Sequence, residues 1–307
     1  MNIIFDKIIA SDDNNYLNLF ITPITAYYLC DHYISTEVNP DHYKYIKVNL
    51  NIKANNLLKN NNYDIIKNND IIQVQNDHLD YFIDKVLPII KKNNIKIIII
   101  TSQEWLPQIH RNEKTDRLLN DENIILWISY NPIYNNHIKY LAIPYGIAQW
   151  NINKYINFLK ENKNIQKENK IYNSPSTPHG HLPANHIRVE YDIFGKNSGG
   201  RIIFSEYLYN IKKSYFVIST AGDREDCFRH LESIGLDAIP ISNISTNYKE
   251  VYEDNMIFSN PEEMINMLNN KTEITYKLPN KDILTIEYWK NKIFKRLEEI
   301  NNNLFIQ

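Results

Sequence analysis

Arg229 and Glu232 are the side chains of this sequence whose types and spacing best suit a nucleotide. The arginine offers a fixed fork of donors to phosphate oxygens, and the glutamate can accept hydrogen bonds from the two hydroxyls of a ribose. They follow an apolar run at residues 215–218 and a small-residue turn at 219–222, a pattern that predicts a strand, a tight turn and a helix. The N-terminus of such a helix presents free amides and the positive end of the helix dipole, and both attract a diphosphate.

The helix is predicted over residues 225–234, and Gly235 is expected to end it. Its apolar residues repeat every three positions and are expected to face inward: Phe228, Leu231 and Ile234. Asp226, Arg229 and Glu232 repeat at the same spacing on another face, and we expect them to point out of the core together. Spacing alone also allows an ordinary surface ion pair between Arg229 and Glu232, worth a few tenths of a kcal/mol.

The same segment resembles the C-terminal signature of the exostosin-like glycosyltransferases, in which a strand and a small-residue turn precede a helix carrying Arg and Glu. The residues that carry the resemblance are Gly222, Asp226, Cys227, Arg229, Glu232, Gly235 and Pro240. Residues 127–150 are similar to a segment in which related bacterial and viral enzymes carry a Trp, an Asn-Pro, a His-Lys pair and a Pro-x-Gly-Ile turn. The resemblance covers well over half of the chain. The sequence departs from the family at Thr220 and Ala221, where Pro commonly precedes the Gly, and at Phe228 and His230 beside the arginine. These departures leave the form of the turn and the base of the donor open.

The resemblance implies an α/β protein of the two-domain GT-B type, with two Rossmann-like, doubly wound domains facing a cleft and a C-terminal helix that crosses back. The alternation of apolar strand and helix patterns along the chain also indicates βαβ units. We expect an N-terminal acceptor-side domain at residues 1–150 and a C-terminal nucleotide-sugar-binding domain at residues 151–307, with ligand outside the carboxyl ends of the strands. The alternative for the last helix, predicted at residues 283–304, is that it caps its own domain.

A member of that family would transfer a hexosyl or pentosyl group from a UDP- or GDP-sugar donor to a glycan or another hydroxyl acceptor. Arg229 would then neutralise the leaving diphosphate as a catalytic group. The expected donor-binding residues are Ser219, Thr220, Gly222, Asp226, Arg229, Glu232, Arg188 and Arg201. For Arg201, a solvated charge is an equally good interpretation. The alternative function is a non-catalytic module that binds a nucleotide sugar or a glycan with the same fold.

Inverting glycosyl transfer needs a group that takes a proton from the acceptor hydroxyl. Glu104 is the catalytic candidate, because it closely follows the apolar strand predicted at residues 95–101 and the resembled family tends to carry an acid near this place. Alternatively, Glu104 simply opens a helix, where acids are favoured. No Asp-x-Asp occurs, which favours neutralisation of the diphosphate by arginine and helix amides with no obligatory metal or other cofactor. His179, His181 and His186 lack a Cys or carboxylate at ligand spacing and fit a polar loop better than a metal site.

Composition and charge argue against several other classes of protein. The 307 residues carry a formal net charge of −2 and no Lys/Arg-rich block, so we expect no nucleic-acid partner. The glycine motifs of dinucleotide-binding and P-loop proteins do not occur. Two widely separated cysteines, Cys30 and Cys227, indicate a reducing compartment. The longest apolar runs are of strand length and no apolar signal segment follows Met1, so a cytoplasmic protein with no transmembrane segment is expected. Abundant Asn, Ile, Lys and Tyr with only seven Gly indicate an AT-rich genome, such as that of a large DNA virus, a protist or an AT-rich bacterium.

Overall fold

The computed structural model of the chain describes residues 2–13, 15–36, 52–102, 108–173, 202–221, 224–270 and 274–304. The chain divides into two compact units, each made from two stretches of sequence. The N-terminal unit combines Ile21–Pro144 with Ile286–Gln307, and the C-terminal unit combines Tyr145–Thr285 with Met1–Phe20. Each unit is a mixed α/β structure built on a parallel sheet.

Six strands of the N-terminal unit lie in the described residues: β1 His32–Ile34, β2 Asn55–Asn56, β3 Ile71–Gln75, β4 Ile97–Ser102, β5 Ile124–Ser129 and β6 Tyr140–Ala142. They pair in parallel in the spatial order β2–β1–β3–β4–β5–β6. Every residue of β4 is buried, which accounts for its run of four isoleucines, residues 97–100, in the middle of a sheet covered on both faces. The strand order reverses between β1 and β3, as in doubly wound sheets, whose ligands bind at the carboxyl ends of the strands on either side of that point.

The described helices of the N-terminal unit are Thr25–Leu29, Leu57–Asn60, residues 79–92, Glu113–Asn120 and Ile286–Leu304. A π-helical turn, Phe82–Val86, interrupts the helix at residues 79–92. The sequence predicts Asp77 as the N-cap of that helix, and this prediction is wrong. The chain leaves β3 through the 3-10 turn Asn76–His78, so Asp77 lies inside the turn and its carboxylate accepts a hydrogen bond from Gln75 Nε2 at 3.3 Å.

Four strands of the C-terminal unit lie in the part of the chain that the structure describes: β7 Asn169–Asn173, β8 Ser214–Ile218, β9 Ile239–Ser242 and β10 Ile257–Phe258. They pair in parallel in the order β10–β9–β8–β7, which follows the order of the chain. Within the described residues, the reversal of strand order that marks a doubly wound sheet is therefore found in the N-terminal unit alone. The double winding expected for both domains is present in one of the two described sheets.

The described helices of the C-terminal unit are Ile3–Ala10, Ile152–Glu161, Phe204–Lys212, Phe228–Gly235, Lys249–Tyr252 and Pro261–Asn270. Phe216 and Ile218 point to the same side of β8 because side chains alternate along a strand. They form an apolar core with Ile239, Ile241 and Met264, the last of which belongs to the helix Pro261–Asn270. That helix begins at Pro261 as its sequence predicts, since a proline is well tolerated where the backbone amide has no partner within the helix.

Both ends of the chain pack in the unit built mainly from the opposite part of the sequence. In the C-terminal unit, the amide of Phe5 donates to Asp282 Oδ1 at 2.8 Å. In the N-terminal unit, the Arg296 guanidinium of the helix Ile286–Leu304 donates to the carbonyl of Tyr140 at 2.7 Å and to that of His137 at 3.1 Å. The expected domains, residues 1–150 and 151–307, are continuous in sequence and the observed units are not. Among the described helices, none is both long and apolar enough to cross a membrane.

Candidate active site

The turn after β8 lies at the carboxyl end of the four-stranded sheet. Ser219 is fully buried, and its amide donates to the carbonyl of Ile241 on the neighbouring strand at 2.9 Å. Thr220 is also buried, and the amide of Ala221 donates to Asn243 Oδ1 at 3.1 Å. The turn is thus anchored to the carboxyl end of β9. Because the side chains of Ser219 and Thr220 are buried, this turn can offer a ligand its backbone more readily than its hydroxyls.

The helix that follows, called the site helix below, is Phe228–Gly235. The sequence predicts a start at Glu225 and a shared outward face for Asp226 and Glu232, and both predictions are wrong. Asp226 precedes the helix and is buried, as is Glu232. The Asp226 carboxylate receives the amide of Tyr145 on Oδ2 at 2.7 Å and the hydroxyl of Tyr252 on Oδ1 at 2.5 Å. These long-range bonds fix Asp226 in the interior, where it ties three segments of the C-terminal unit together.

His230 lies between Asp226 and the turn. Its Nδ1 is 2.7 Å from Asp226 Oδ1, and its Nε2 is 3.0 Å from the carbonyl oxygen of Ser219. Both of these oxygens are acceptors, so the two contacts favour a proton on each ring nitrogen, which is the imidazolium form. The Cys227 amide also points at Nδ1, at 3.2 Å, but the carboxylate contact is much the shorter and takes the proton. Burial on its own would lower the pKa of His230, and the negative charges of Cys227 and Asp226 overcome it and raise the pKa to about 10.

Cys227 is the residue that immediately precedes the site helix. Its Sγ lies 3.7 Å from His230 Nε2, 3.7 Å from Ser219 Oγ and 3.6 Å from the carbonyl oxygen of Thr220. Burial raises the pKa of the thiol, but the neighbouring His230 charge, with a contribution from Arg229, lowers it by more, and the net shift is downward. The position at the start of a helix acts in the same direction.

Arg229 and Glu232 are brought together through a third residue, Tyr207 of the helix Phe204–Lys212. The Tyr207 hydroxyl donates to Glu232 Oε2 at 2.7 Å, and the Arg229 guanidinium carbon lies 5.9 Å from the centre of the Tyr207 ring. The surface ion pair that the spacing allows is therefore not the arrangement found, since Glu232 is only 4% exposed and its carboxylate is bound by a tyrosine.

Burial shifts the pKa of Glu232 upward from its ordinary value. Desolvation raises the pKa of its carboxyl, while the Tyr207 hydrogen bond and the Arg229 charge act in the opposite direction, and desolvation is the largest of the three. A buried carboxylate held in the ionised form costs free energy. Such groups are more frequent at binding and catalytic sites than elsewhere, because function rather than stability retains them there.

A stack of side chains beside the site helix was not predicted from the sequence. The Arg224 guanidinium carbon lies 4.3 Å above the ring of Tyr145, which in turn stacks on Phe228 at a centroid distance of 5.0 Å. Phe228, expected in the core, is only partly buried here and has the edge of Trp150 against it. Tyr145 and Trp150 come from the segment that resembles the family, but nothing in their spacing indicates that they meet Phe228. Likewise, nothing in the sequence predicted that Tyr207 would contact Arg229 and Glu232.

Gly235, the last residue of the site helix, allows a close approach of neighbouring segments. A Cβ atom at this position would lie 2.2 Å from the hydroxyl oxygen of Tyr155 and 2.7 Å from a methyl carbon of Leu284. The Tyr155 hydroxyl donates to the carbonyl of Glu232 at 2.9 Å. The sequence predicts Gly235 as a helix end, and it closes the helix where a larger residue would separate the helix from its neighbours.

Several predicted site residues lie outside the described residues: Gly222, Glu104, Arg188 and Arg201, together with His179, His181 and His186. Their roles stay predictions. In the part of the chain that is described, no group of three or more His, Cys, Asp or Glu side chains is arranged to hold a metal ion.

The N-terminal unit has a polar cluster at the point where its strand order reverses. Gln75 Oε1, at the end of β3, accepts hydrogen bonds from Ser35 Oγ at 2.9 Å and from the amide of Thr36 at 2.8 Å, both just beyond β1. The Tyr27 hydroxyl lies 2.9 Å from Ser35 Oγ. Polar groups gathered at a topological switch point are the usual ligand-binding place of such a sheet.

Comparison of the chain with models of protein families gives no match, and comparison with curated proteins gives none at a significant level. The resemblance to exostosin-like glycosyltransferases therefore depends on the motif residues themselves.

Proposed function

We propose that the protein is a glycosyltransferase that takes a sugar from a UDP- or GDP-sugar and transfers it to a hydroxyl of a glycan or similar acceptor. The observation that carries the proposal is the arrangement of Arg229 and Glu232 against Tyr207 on a helix that starts at the carboxyl end of a parallel sheet. Ligands of open α/β sheets bind at that end. The resemblance of the same residues to the exostosin-like signature adds to this support.

In this proposal, Arg229 and Glu232 bind different parts of the donor nucleotide. The Arg229 guanidinium supplies a fixed positive charge for the diphosphate, beside the first turn of an eight-residue helix whose dipole also favours an anion. Glu232 accepts the Tyr207 hydroxyl on Oε2, while Oε1 makes no hydrogen bond within the described residues and can accept one from a ribose hydroxyl. Burial of this carboxylate strengthens such a bond, because competing water is excluded.

Neutralisation of the diphosphate by Arg229 and helix amides requires no metal ion in this proposal. The charge that grows on the leaving diphosphate is met by groups already in position, which is the least costly form of electrostatic catalysis. We expect donor binding and turnover to persist in EDTA. Loss of both on chelation, with recovery on adding Mn²⁺ or Mg²⁺, would show that a metal holds the diphosphate instead.

We assign the acceptor to the N-terminal unit, at the polar cluster of Ser35, Thr36 and Gln75. Glu104 follows β4 of the same sheet in sequence, and in this proposal it takes the proton from the acceptor hydroxyl. Glu104→Gln should then abolish transfer while leaving donor affinity unchanged.

The test is a binding panel of UDP, GDP, CMP and their sugars, followed by thermal unfolding and calorimetry. A nucleotide present at one hundred times its dissociation constant stabilises a native protein by about 2.7 kcal/mol. Arg229→Gln should lose this stabilisation, whereas Arg117→Gln, an exposed arginine of the other unit, should keep it. No stabilisation by any of these ligands at millimolar concentration would refute the proposal. Binding without release of nucleoside diphosphate, with or without sugar acceptors, would identify the non-catalytic module instead.

A further inference from the structure

A cysteine, a histidine and an aspartate are connected in that order at the start of the site helix. Cys227 Sγ lies 3.7 Å from His230 Nε2, and His230 Nδ1 lies 2.7 Å from Asp226 Oδ1. A thiol is activated in this way when an oriented imidazolium stabilises its thiolate and a carboxylate orients the imidazolium. Donor binding as proposed above uses neither the sulfur nor the imidazole.

The charged groups around the sulfur favour its ionised form, whereas the Thr220 carbonyl, 3.6 Å away, accepts the proton of the thiol form. The contacts of His230 Nδ1 with the Asp226 carboxylate and of Nε2 with the Ser219 carbonyl favour the protonated ring. Arg229, the next positive group, acts in the same direction, while the Asp226 charge opposes them from behind the imidazole ring. Tyr252 presents a hydroxyl that is already donated to Asp226. Two positive groups therefore oppose one negative group, and the nearer of the two positive groups contacts the sulfur directly.

The chain contains a second cysteine, which provides an internal comparison. Cys30 follows the helix Thr25–Leu29 in the N-terminal unit, and its Sγ donates to the carbonyl of Tyr27 at 3.7 Å. Burial raises the pKa of Cys30 to about 12, so it is almost entirely the unreactive thiol at neutral pH. Both cysteines are partly exposed and neither forms a disulfide. They differ in their electrostatic surroundings rather than in gross accessibility.

We propose that Cys227 is a modification site, a nucleophilic thiolate that small hydroperoxides oxidise to a sulfenic acid. The sulfur attacks one peroxide oxygen, so an S–O bond forms as the O–O bond breaks. The sulfur loses two electrons and the peroxide gains them. The departing hydroxide of hydrogen peroxide, or the alkoxide of an alkyl hydroperoxide, takes the proton of the His230 imidazolium and leaves as water or as an alcohol, and His230 is left neutral. A small oxidant suits the site, because His230 is fully buried and Cys227 only partly exposed.

Since the chain has two cysteines, single substitutions isolate each thiol. The Cys30→Ser protein carries only Cys227, and the Cys227→Ser protein carries only Cys30. We expect iodoacetamide to alkylate the first at pH 7 at least about tenfold faster than the second. The pH–rate profile of the first should have its midpoint clearly below the ordinary thiol value of about 8.5. Hydrogen peroxide followed by dimedone should give an adduct on Cys227 by mass spectrometry. Equal rates, a midpoint at or above the ordinary value, or no adduct would overturn the proposal.

The role of the imidazole is tested in the Cys30→Ser background. His230→Gln and Asp226→Asn should move the midpoint of the profile upward, towards the ordinary thiol value. Ser242→Ala, which removes a hydroxyl 3.1 Å from His230 Nε2 without removing a charge, is the matched control and should leave the midpoint in place. Where circular dichroism shows that a variant of the buried pair has unfolded, the profile of the Cys30→Ser protein alone decides. None of these readouts needs a nucleotide, so their failure is distinct from failure of the proposed function.

Discussion

The hydroxyl of Tyr207 is the hydrogen-bond donor that satisfies the buried carboxylate of Glu232, at a distance of 2.7 Å. The two residues lie on neighbouring helices, Phe204–Lys212 and Phe228–Gly235. Tyr207 therefore fixes the orientation of the Glu232 carboxylate, while its ring lies beside Arg229. The same hydrogen bond is therefore expected to contribute to the stability of the C-terminal unit and to position a residue of the proposed donor site.

Tyr207→Phe should lower the free energy of unfolding by about 1–3 kcal/mol, the usual cost of leaving a buried polar group without its partner. Tyr209→Phe is the matched control, because Tyr209 belongs to the same helix and is 42% exposed. Urea unfolding of the parent and both variants makes the comparison. A loss as small for Tyr207→Phe as for Tyr209→Phe would mean that the hydrogen bond contributes nothing net.

The stability of the parent should fall relative to that of Glu232→Gln as the pH rises above about 4.3, the ordinary pKa of glutamate. The folded protein raises the pKa of Glu232, so it binds the proton more tightly than the unfolded chain does and loses stability when that proton leaves. Unfolding between pH 4 and pH 8 measures the difference. Glu206→Gln, an exposed acid on the neighbouring helix, should leave the profile of the parent unchanged, and a flat difference for Glu232→Gln would contradict the shift.

Asp226→Asn should destabilise the protein by about 3–5 kcal/mol near pH 6.5, because it leaves the His230 imidazolium buried without its carboxylate. The pKa of His230 is raised to about 10 in the folded protein. Its stabilising contribution is thus complete below the ordinary histidine value of about 6.5 and is lost as the pH rises towards 10. The gap between parent and variant should narrow over that interval.

The surface pair Lys277–Asp254, 3.0 Å apart with both side chains well exposed, supplies the control for this experiment. Asp254→Asn should change the free energy of unfolding by less than about 1 kcal/mol. A gap for Asp226→Asn that stays constant from pH 6.5 to pH 10 would show that His230 is not charged in the native protein.

Gly235→Ala should destabilise the C-terminal unit by about 1–3 kcal/mol, since the new Cβ would overlap the Tyr155 hydroxyl oxygen at 2.2 Å. Tyr155→Phe removes that oxygen together with its hydrogen bond to the Glu232 carbonyl. In a double-mutant cycle, the losses of unfolding free energy in the two single variants should sum to more than the loss in the double variant, because Tyr155→Phe removes the atom that the new Cβ would overlap. Additive losses would show that the overlap is relieved by movement of the helix rather than by the tyrosine.

Arg229→Gln should lower kcat by roughly 10²–10³-fold once a donor is identified, by analogy with removal of one preorganised donor to a developing negative charge. Glu232→Gln should mainly raise the KM for the donor, because its contact with a ribose changes little during the reaction. Steady-state release of nucleoside diphosphate gives both constants, with Arg117→Gln as the control. Full activity of both variants would place the nucleotide elsewhere.

The strand and the helix that flank this site could be predicted from the sequence, because their hydrophobic patterns depend only on residues close together in the chain. The predicted strand at residues 215–218 is contained in β8, and Gly235 does end the helix. Helix spacing could not show that Asp226 precedes the helix and points into the interior rather than forming part of its exposed face. Its carboxylate is bound by the amide of Tyr145, 81 residues away in sequence, and a contact of that kind leaves no trace in a local pattern.

The same reason explains the missed partners and the form of the units. Tyr207 is one of 22 tyrosines and sits on an ordinary amphipathic helix, so nothing marks it as the partner of Glu232. An apolar helix at either end of a chain shows the same periodicity whichever unit it packs in. The resemblance to a family implied that the last helix crosses back, and the helix Ile286–Leu304 does group with Ile21–Pro144, but nothing in the sequence indicated the reciprocal crossing of residues 2–20.

The exchange of terminal segments sets the order in which this protein can be completed during synthesis. The first segment of the N-terminal unit, Ile21–Pro144, leaves the ribosome early in synthesis. The unit lacks its last helix until Ile286–Leu304 has also been made. That delay is on the order of ten seconds at ordinary synthesis rates. During this interval the apolar surface that the helix later covers, including the part near β5, is open to chaperones and to aggregation. Truncation from the C-terminus should therefore impair the N-terminal unit first, and the nascent chain should be most dependent on chaperones before its final residues emerge.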